Sequence, residues 1–591
     1  MVSRIASLDK ELCNSKKCQL ECIRFCPVNL SGSECIILGE DTKAIINEEL
    51  CNGCGICIKK CPFDAINIVK LPDELEKDKI HQFDINSFRL YKLPMPVQGQ
   101  IIGLVGKNGI GKSTALQILS GNLIPNLGDL ENSKDWRDVK DKFNGSELKN
   151  YFEFLSNNKM KISLKPQAVY DIPKIWRDNG ETLLKKYDER NISNELIKEL
   201  NLEECIKNDV NKLSGGELQR LAVAIAIARD ADVYFFDEPS AFNDIYQRLI
   251  VANVIRKLAD SGKYIILVEH DLTFLDYMSD YIHILYGEAG TYGIVSGRYA
   301  ARIGINALLD GYIPNENIRF RESGVTFNRS NIINEVEKKE NITEYTDITK
   351  KFDNFQLDIK SGSIKKEEII GIIGANSLGK TTFLKILSGI EKPNKGKIEK
   401  KVKIAYKPQY LDNTHDILVK DLLIQQSIDG KTEVQQELMK SFNINKIIEK
   451  KINQLSGGEL QKLSIMSCLS MDADIFALDE PSAFIDIEDR IMLGKIINKF
   501  IKTYGKSAII ADHDLQLIDV ISDSIMIFNG KSGIYGNTTP PLTKEVAMNL
   551  FLKELKITYR RDIESGRPRV NKNNSKLDRE QKLSGNYYYV K

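Results

Sequence analysis

Short runs of consecutive apolar residues recur along the chain, bounded by glycine-rich or polar segments. IIGLV at 101–105 and EIIGIIG at 368–374 each precede a glycine-rich loop, and helix-like spacing (TALQILSG) follows the first loop. Other runs, YFFDE, IFALDE, ILVEH and IIADH, end in carboxylates or a histidine. Short apolar runs between turn signals indicate buried strands. Strands alternating with helical segments predict an α/β fold.

A long internal repeat organises most of the chain. LSGGELQ occurs at 213–219 and 455–461, and DEPSAF occurs at 237–242 and 479–484. A nearly fixed offset indicates duplication of a whole domain. The offset is 242 for three matched pairs and 243 for the fourth, namely Ser214 with Ser456, Gln167 with Gln409, Glu238 with Glu480, and His270 with His513.

The first repeat contains an insertion. Lys112 and Lys380 are 268 residues apart, so the first copy has 26 extra residues before Gln167. The stretch SELKNYFEFL has helical apolar spacing. We therefore predict a helical hairpin at Trp136–Ile162, projecting from the first copy only and serving either as a tolerated surface insertion or as a docking element.

Each repeat carries a phosphate-binding loop of the form G-x4-G-K-[ST], GKNGIGKS at 106–113 and GANSLGKT at 374–381. Both follow a predicted strand, as the motif requires. Backbone N–H groups at a helix N-terminus would cradle phosphates, and the lysine would reach the β- and γ-phosphates. The predicted nucleotide-binding residues are Gly106, Asn108, Gly109, Gly111, Lys112, Ser113 and Thr114 in the first copy, and Gly374, Asn376, Gly379, Lys380, Thr381 and Thr382 in the second.

Paired carboxylates end one apolar strand in each repeat. The first carboxylate suits Mg²⁺ binding through water, and the second suits polarising an attacking water as general base. Each histidine ends a strand where it can contact the γ-phosphate, and two matched positions among five histidines favour function over packing. The predicted catalytic residues are Glu238, Glu480, His270, His513, Gln167 and Gln409, and the predicted Mg²⁺ ligands are Ser113, Thr381, Gln167, Gln409, Asp237 and Asp479.

Aromatic residues upstream of each phosphate loop are candidates for stacking on adenine. They are Phe83 and Phe88 in the first copy, and Tyr345 and Phe355 in the second. The alternative is that these four are ordinary core aromatics.

The two phosphate loops differ at one position, where Ser377 replaces Gly109. A side chain there would be unfavourable if the loop needs a positive φ or a close approach to phosphate. We therefore predict functionally asymmetric sites.

Nine of the eleven cysteines lie within the first 61 residues. C-x2-C-x2-C-x3-C-P at 51–62 is the bacterial-ferredoxin run for a four-iron cluster, and a looser run precedes it. Disulfides and zinc sites are the alternatives to clusters. In two-cluster ferredoxins the last cysteine of each run binds the other cluster. The predicted ligand sets are Cys13, Cys18, Cys22 and Cys61, and Cys26, Cys51, Cys54 and Cys57; Cys35, Cys205 and Cys468 are left over as small apolar residues.

Bulk composition limits the function classes. The net charge of +1 gives no global attraction to nucleic acid, so any such surface must be local. Apolar runs fall short of the roughly 18 residues of a membrane span, and the N-terminus lacks a signal-peptide core. We expect a cytoplasmic protein.

Two polar segments flank the second repeat. GYIPNENIRFRES at 311–323 mixes glycine, proline and asparagine and is expected to be an irregular connector. The segment 556–591 holds ten Lys or Arg and four Asp or Glu. It is either disordered or an ordered basic strap across the two repeats, and its arginines and tyrosines could contact phosphates.

The LSGGELQ segments resemble the signature of ABC-type ATPases. In that family the signature of one cassette completes the nucleotide site of the other, and the loops that end at Asp244 and Asp486 cross the interface. The resemblance implies two composite sites, in which the signature residues are Ser214, Gly215, Gly216, Ser456, Gly457 and Gly458.

The cysteine block, the insertion, the connector and the YRRDIESGRPRVNK tail together resemble the ABC-E family, also called the RNase L inhibitor family. The resemblance covers essentially the whole chain. The implied domains are a ferredoxin-like α+β domain with two 4Fe–4S clusters (1–76), a first ABC nucleotide-binding domain (77–300, insert about 136–162), a first hinge (301–322), a second ABC domain (323–545) and a basic second hinge (546–591).

The same resemblance implies a role in translation. Family members hydrolyse Mg-ATP, split ribosomal subunits with a release or rescue factor of the eRF1/Pelota type, and stay on the small subunit into initiation. It also implies rRNA contacts, contacts with initiation factors, and a monomer whose two cassettes pair. ATP-coupled electron transfer through the clusters and an ATPase subunit of a transporter are the alternatives.

Overall fold

The computed structural model describes residues 2–157, 159–322, 324–325, 340–399, 402–409, 414, 416–426 and 432–589. Ser323 and Lys591, which end the predicted connector and tail, lie outside these residues. The chain forms two compact units. The first comprises residues 1–239, 253–270 and 278–324, and the second comprises 240–252, 271–277 and 325–591.

The N-terminal part of the first unit is a small α+β domain. Its outer strands pair antiparallel, with Leu8 opposite Ile66, and the cysteines lie between them, Cys22 and Cys57 on short helices and the others in loops or at helix ends. The elements are β1 (Val2–Leu8), α1 (Glu21–Arg24), α2 (Pro27–Leu30), β2 (Ile36–Leu38), β3 (Ala44–Ile46), α3 (Ile56–Lys60) and β4 (Ile66–Pro72).

The rest of the first unit is an α/β domain around one sheet. Buried apolar strands form its centre, and helices cover it because both faces of a parallel sheet must be shielded from water. The elements of this part of the chain are β5 (Lys79–Gln82), β6 (Arg89–Tyr91), β7 (Ile101–Val105), α4 (Lys112–Leu119), α5 (Trp136–Lys142), α6 (Glu147–Ser156), β8 (Ile162–Lys165), α7 (Ile172–Ile175), α8 (Gly180–Lys186), α9 (Ser193–Glu199), α10 (Gly215–Ala228), β9 (Val233–Asp237), α11 (Ile245–Asp260), β10 (Tyr264–Val268), α12 (Leu272–Met278), β11 (Tyr281–Glu288), β12 (Tyr292–Val295), β13 (Tyr299–Ala300), α13 (Ala301–Asp310), β14 (Tyr312–Ile313) and β15 (Ile318–Arg319). Of these, residues 245–252 of α11 and 272–277 of α12 belong to the second unit.

The second unit repeats this plan. Its elements are β16 (Asn341–Tyr345), β17 (Ile348–Lys351), β18 (Gln356–Ile359), β19 (Gly362–Lys365), β20 (Ile369–Gly374), α14 (Lys380–Leu387), β21 (Ile404–Lys407), α15 (Val419–Gln425), α16 (Glu433–Ser441), α17 (Gly457–Leu469), β22 (Ile475–Asp479), α18 (Ile487–Tyr504), β23 (Ser507–Ala511), α19 (Leu515–Ile521), β24 (Ser524–Lys531), β25 (Tyr535–Thr538), β26 (Leu542–Thr543), α20 (Lys544–Leu555), β27 (Tyr559–Arg561), β28 (Pro568–Val570) and α21 (Lys576–Ser584).

The two large sheets have the same strand order. The first runs β5-β6-β12-β11-β7-β10-β9-β8, and the second runs β17-β18-β25-β24-β20-β23-β22-β21. From β11 to β8, and from β24 to β21, the pairs are parallel. The carboxyl ends of these strands meet at one edge, which is where ligands bind in open α/β sheets.

The predicted helical hairpin is present as α5 and α6, and it packs closely on its domain. Val139, Phe152 and Leu155 are buried against the sheet-and-helix core. The Tyr151 hydroxyl donates to the Leu119 carbonyl at 2.7 Å. An Asp135 capping box starts α5 and satisfies N–H groups of its first turn.

The connector contains more regular structure than the sequence predicts. β14 and β15 pair antiparallel around a turn at Asn317, whose φ is 52°. Glu316 stabilises the turn because its carboxylate accepts hydrogen bonds from Gly297 N–H at 2.7 Å and the Tyr286 hydroxyl at 3.2 Å. The prediction of a wholly irregular connector is therefore wrong.

The basic tail is ordered over its described residues, through β27, β28 and α21. Its arginines contact carboxylates of the second unit: Arg567 and Arg569 bind Asp276, and Arg561 binds Asp519 at 2.7 Å. Asp276 and Asp519 each lie six residues beyond the histidine of their repeat. These three arginines therefore have carboxylate partners inside the second unit, which leaves the predicted phosphate contact to the other basic residues of the tail.

The N-terminal domain contacts the first α/β domain through buried polar groups. The Asn86 side chain accepts a hydrogen bond from Ile46 N–H at 2.8 Å and donates to the carbonyls of Ala6 and Ile46. Arg89, 3% exposed, forms an ion pair with Glu48 at 2.6 Å. No helix among the described residues is long and apolar enough to cross a membrane.

Candidate functional sites

Both phosphate loops have the geometry that the motif predicts. Gly111 and Gly379 precede their helices with φ values of 95° and 98°. The Lys112 ammonium donates to the Gly106 carbonyl at 2.7 Å, and the Lys380 ammonium to the Gly374 carbonyl at 2.9 Å. Each lysine therefore lies inside its own loop, where phosphate oxygens would bind.

Ser377 confirms that the loop position needs a positive φ. Its φ is 59°, against 73° for its counterpart Gly109. A non-glycine residue in this conformation costs roughly 1–2 kcal/mol. The second loop therefore carries backbone strain at a position where the first has glycine.

Asp237 at the end of β9 and Asp479 at the end of β22 are each the first of the two consecutive carboxylates. Burial raises the pKa of Asp237 and of Asp479, and in the second copy Thr381 donates to Asp479. The placement of Thr381 beside Asp479 fits a shared Mg²⁺ site.

Each predicted catalytic glutamate meets the predicted glutamine and histidine. Gln167 Nε2 donates to Glu238 Oε1 at 2.8 Å, and Gln409 Nε2 donates to Glu480 Oε1 at 2.8 Å. The remaining contacts are His270 Nε2 to Glu238 Oε1 at 3.5 Å and His513 Nε2 to Glu480 Oε1 at 3.3 Å.

Electrostatics keep the second glutamate ionised. Burial alone would raise the pKa of Glu480, but His513, Lys380 and Gln409 outweigh burial and lower the pKa to about 2. The carboxylate is therefore charged at neutral pH and able to accept a hydrogen bond from water. Its partners converge from three different strand or loop ends of one sheet edge.

The structure separates the four candidate aromatics. Phe88 and Phe355 lie beside the glycines that end the phosphate loops, so that an added Cβ on Gly111 or Gly379 would meet their rings at 2.7 and 3.2 Å. Phe83, 52% exposed, packs edge-on against His81.

Tyr345 is 2% exposed, and its ring packs on Phe383 while its hydroxyl points to the Met526 sulfur at 3.5 Å. The prediction that it stacks on adenine is wrong, because its ring belongs to the core.

The signature segments begin helices. Ser214 and Ser456 are N-caps of α10 and α17, each in a capping box with the glutamate three residues on. In the second unit the Asn376 N–H donates to Asp244 Oδ2 at 2.8 Å, so the loop residue Asp244 contacts a phosphate loop.

Sequence reasoning missed two lysines and two glutamines around the predicted catalytic glutamates. Their side chains donate to main-chain carbonyls at the ends of β9 and β22, and all four are at most 1% exposed. The Lys-Pro-Gln and LSGGELQ motifs contained the signal, because each residue recurs at an offset of 242. The residues are Lys165, Lys407, Gln219 and Gln461.

A further residue distinguishes the second site. The Tyr406 hydroxyl donates to Asp479 Oδ2 at 3.3 Å, and the matching residue of the first copy is Leu164. The second Mg²⁺ candidate therefore has a hydrogen-bond donor that its counterpart lacks.

All eleven cysteines are free thiols in this structure. Burial and then the thiols of Cys51, Cys54 and Cys26 raise the pKa of Cys57 to about 12. Burial and then Cys61, with Cys13 and Cys18, raise the pKa of Cys22 to about 11. The thiols therefore gather in two groups, one around Cys57 and one around Cys22.

Both groups supply the four cysteine thiols that a four-iron cluster uses as ligands, each thiol binding a different iron. Among the described residues, no three Cys, His, Asp or Glu side chains form a site for a single metal ion. The left-over Cys35, Cys205 and Cys468 are 1%, 6% and 2% exposed, as predicted for small apolar residues, but the Cys35 thiol lies beside those of Cys26 and Cys51.

Known protein families match the segments of the chain that contain these sites. The family described as "ABC transporter" matches residues 96–241 and 357–483. The family "Possible Fer4-like domain in RNase L inhibitor, RLI" matches 3–34, and "4Fe-4S binding domain" matches 44–67.

Full-length relatives share the whole architecture. The chain is 42% identical to translation initiation factor RLI1 of Saccharomyces cerevisiae, over 100% of this chain and 98% of that protein. An uncharacterized ABC transporter ATP-binding protein of Methanocaldococcus jannaschii is 44% identical, over 99% and 98%.

Solved structures agree with these relatives. A model of ribosome-bound archaeal Pelota and ABCE1 matches with a TM-score of 0.93 and 46% identity, over 100% of this chain and 99% of that one. A complex of archaeal ribosomal stalk protein aP1 with the ribosome recycling factor aABCE1 matches with a TM-score of 0.83 and 45% identity, over 88% and 100%.

Proposed function

Because the chain belongs to the ABC-E (RNase L inhibitor) family of twin-cassette ATPases, we propose that it is an ATP-driven ribosome recycling factor. The observation that carries this proposal is the match over the full chain to ABCE1 as solved with ribosome-bound Pelota. The yeast relative's name, translation initiation factor, favours work on the ribosome over electron transfer or transport.

The proposed cycle begins after termination or rescue. The protein binds the ribosome with a factor of the eRF1/Pelota type, splits the subunits, and stays on the small subunit into initiation. This role would place it in the cytoplasm, as a monomer whose cassettes pair, in contact with rRNA and initiation factors. The α5–α6 hairpin is the candidate docking element, because Phe154 on it is 51% exposed.

The proposed chemistry is in-line hydrolysis of ATP. Mg²⁺, held by Ser113 or Thr381 and the neighbouring aspartate, would neutralise phosphate charge. Glu238 and Glu480 would orient and polarise the attacking water. The histidines would hydrogen-bond the γ-phosphate. The resemblance also implies that the Ser-Gly-Gly of each signature completes the partner cassette's site.

The iron–sulfur domain is proposed to be structural. A segment of about 70 residues has a marginal core, and metal binding supplies folding free energy. The eight cysteines would hold two 4Fe–4S clusters in the two groups given above, with Cys26 and Cys61 each binding the cluster of the other run.

Substitution of one crossing cysteine tests this partition. Cys26→Ser should remove the cluster of Cys51, Cys54 and Cys57, so iron should fall from about eight to about four per chain. Cys205→Ser is the matched control, because Cys205 is buried in the first α/β domain. Iron and acid-labile sulfide analysis measures the change. A full complement of iron in Cys26→Ser would contradict the assignment.

Ribosome splitting tests the function itself. Purified archaeal or yeast ribosomes, incubated with a Pelota-type factor, this protein and ATP, should be converted to subunits, as seen on a sucrose gradient. Omitting ATP, or the factor, should leave whole ribosomes. Unchanged profiles with active ATPase would contradict the proposal.

A further inference from the structure

Lys165 and Lys407 occupy the same place in the two repeats, at the ends of β8 and β21 and two residues before the catalytic glutamines. The Lys165 ammonium donates to the carbonyls of Asp237 at 2.6 Å and Glu238 at 3.2 Å. The Lys407 ammonium donates to the carbonyls of Asp479 at 2.8 Å and Glu480 at 3.4 Å. Neither ammonium bonds the carboxylate itself in these contacts.

Burying these cations is unfavourable. Each lysine is 1% exposed. Lysine is rarely buried fully, because an ammonium loses its hydration. An apolar side chain of similar length would fill the same space without that cost. The contacts that the ammonium makes therefore need a reason beyond packing.

The reason lies in the backbone of the glutamates. Glu238 and Glu480 have φ values of 49° and 47°, in the left-handed region, which is unfavourable for residues other than glycine. Strained backbone at an active site persists only where surrounding contacts hold it. Here the N–H groups of the glutamates donate to the carbonyls of Val268 at 2.9 Å and Ala511 at 2.8 Å.

The glutamate carbonyls are held from two sides. In the second copy, Gln461 donates to the Glu480 carbonyl at 2.7 Å from α17, and Lys407 donates from β21. In the first copy, Gln219 and Lys165 make the same contacts with Glu238. The peptide is thus fixed by three elements, and its direction decides where the carboxylate points.

We propose that Lys165 and Lys407 are positioning residues, each of which fixes the strained peptide of the catalytic glutamate so that its carboxylate faces the glutamine and the attacking water. In each copy the lysine lies two residues before the glutamine. The lysine contacts the main-chain carbonyl of the glutamate, and the glutamine contacts the carboxylate of the same glutamate. This inference rests on the proposed role of Glu238 and Glu480.

The double variant Lys165→Met/Lys407→Met tests the inference. We expect kcat for ATP to fall about 10- to 100-fold, since an error of about 1 Å in placing a reacting group costs this much. The Kd for ATP should stay within about twofold. Lys161→Met/Lys403→Met is the matched control, because these lysines precede the same strands and form exposed ion pairs with Asp230 and Asp472.

A double-mutant cycle separates positioning from general damage. The lysine substitutions are repeated in Glu238→Gln/Glu480→Gln, with single-turnover hydrolysis as the readout. If the lysines act through the glutamates, they should cause no further loss there. The inference would be overturned if the lysine substitutions lowered the hydrolysis rate equally with and without Glu238→Gln/Glu480→Gln. It would also be overturned if they left kcat unchanged in the protein with both glutamates intact. An unchanged kcat in Glu238→Gln/Glu480→Gln would instead overturn the proposed role of the glutamates.

A second variant covers the case in which the methionine variant fails to fold. Gln219→Leu/Gln461→Leu removes the other side-chain donor to the Glu238 and Glu480 carbonyls. These glutamines lie on α10 and α17, whereas the lysines lie on β8 and β21. The inference predicts the same fall in kcat at constant Kd. A rise in Kd that accounts for the whole loss of kcat/KM would overturn it.

Discussion

Glu238→Gln/Glu480→Gln should lower the ATP turnover of the chain by about 100- to 10,000-fold, the range for loss of a general base. An amide keeps the size of the side chain but cannot take a proton from water. Glu449→Gln is a suitable control, because that side chain is 71% exposed and pairs with Lys420 at the surface. Steady-state phosphate release measures the effect. Turnover within threefold of the unsubstituted protein would contradict the assignment.

The single variants address the difference between the sites. Ser377 and Tyr406 exist only in the second copy, so we expect Glu238→Gln and Glu480→Gln to differ in turnover and in how long nucleotide is retained. Filter-binding of labelled ATP measures retention. Identical values for both would contradict the predicted asymmetry.

Asp276→Ala should destabilise the second unit by about 3–5 kcal/mol, the usual cost of breaking a buried ion pair from one side. The Asp276 carboxylate binds Arg569 at 2.7 Å and Arg567 at 3.0 Å, and the side chain of Arg567 is 0% exposed. Alanine would leave both guanidinium groups without this partner. Urea unfolding of the second unit measures the loss in free energy of unfolding, and limited proteolysis measures the release of the tail.

The control for this change is Asp472→Ala, which removes a carboxylate that is 81% exposed from its pair with Lys403. Surface pairs contribute about 0–1 kcal/mol. Equal midpoints for the two variants would contradict the expected effect.

The stability that this ion pair contributes depends on pH through the ionisation of Asp276. Burial alone would raise the pKa of Asp276, but Arg567 and Arg569 hold it below its ordinary value. A depressed carboxylate pKa contributes stability above the pKa of the unfolded chain and loses it as pH falls through the folded value. The contribution of the pair is therefore complete at neutral pH and lost only in acid.

The sequence predicted the parts of the sites that depend on local motifs. The phosphate loops, the strand-end carboxylates and the cysteine groups follow from spacing, because each motif is a short segment with one local geometry. The helical hairpin also followed, since its apolar spacing is local.

Other features depend on partners distant in sequence. The tail could be assigned as disordered or ordered but not as an internal ion-pair network, because Asp276 lies 291 residues from Arg567. Tyr345 and Phe355 are both aromatic and upstream of the loop, and only packing decides which one is core. The buried lysines were missed because nothing in Lys-Pro-Gln shows that the ammonium is turned inward.

The sequence separation of 291 positions between Asp276 and Arg567 also sets an order of events during synthesis. Chains grow at about 5–20 residues per second, so the carboxylate would emerge about 15–60 s before its guanidinium partners. Until then, the segment 271–277 lacks the charges that bind it in the finished second unit. A chain cut short before residue 567 would keep that carboxylate unneutralised and would be a target for quality-control proteases.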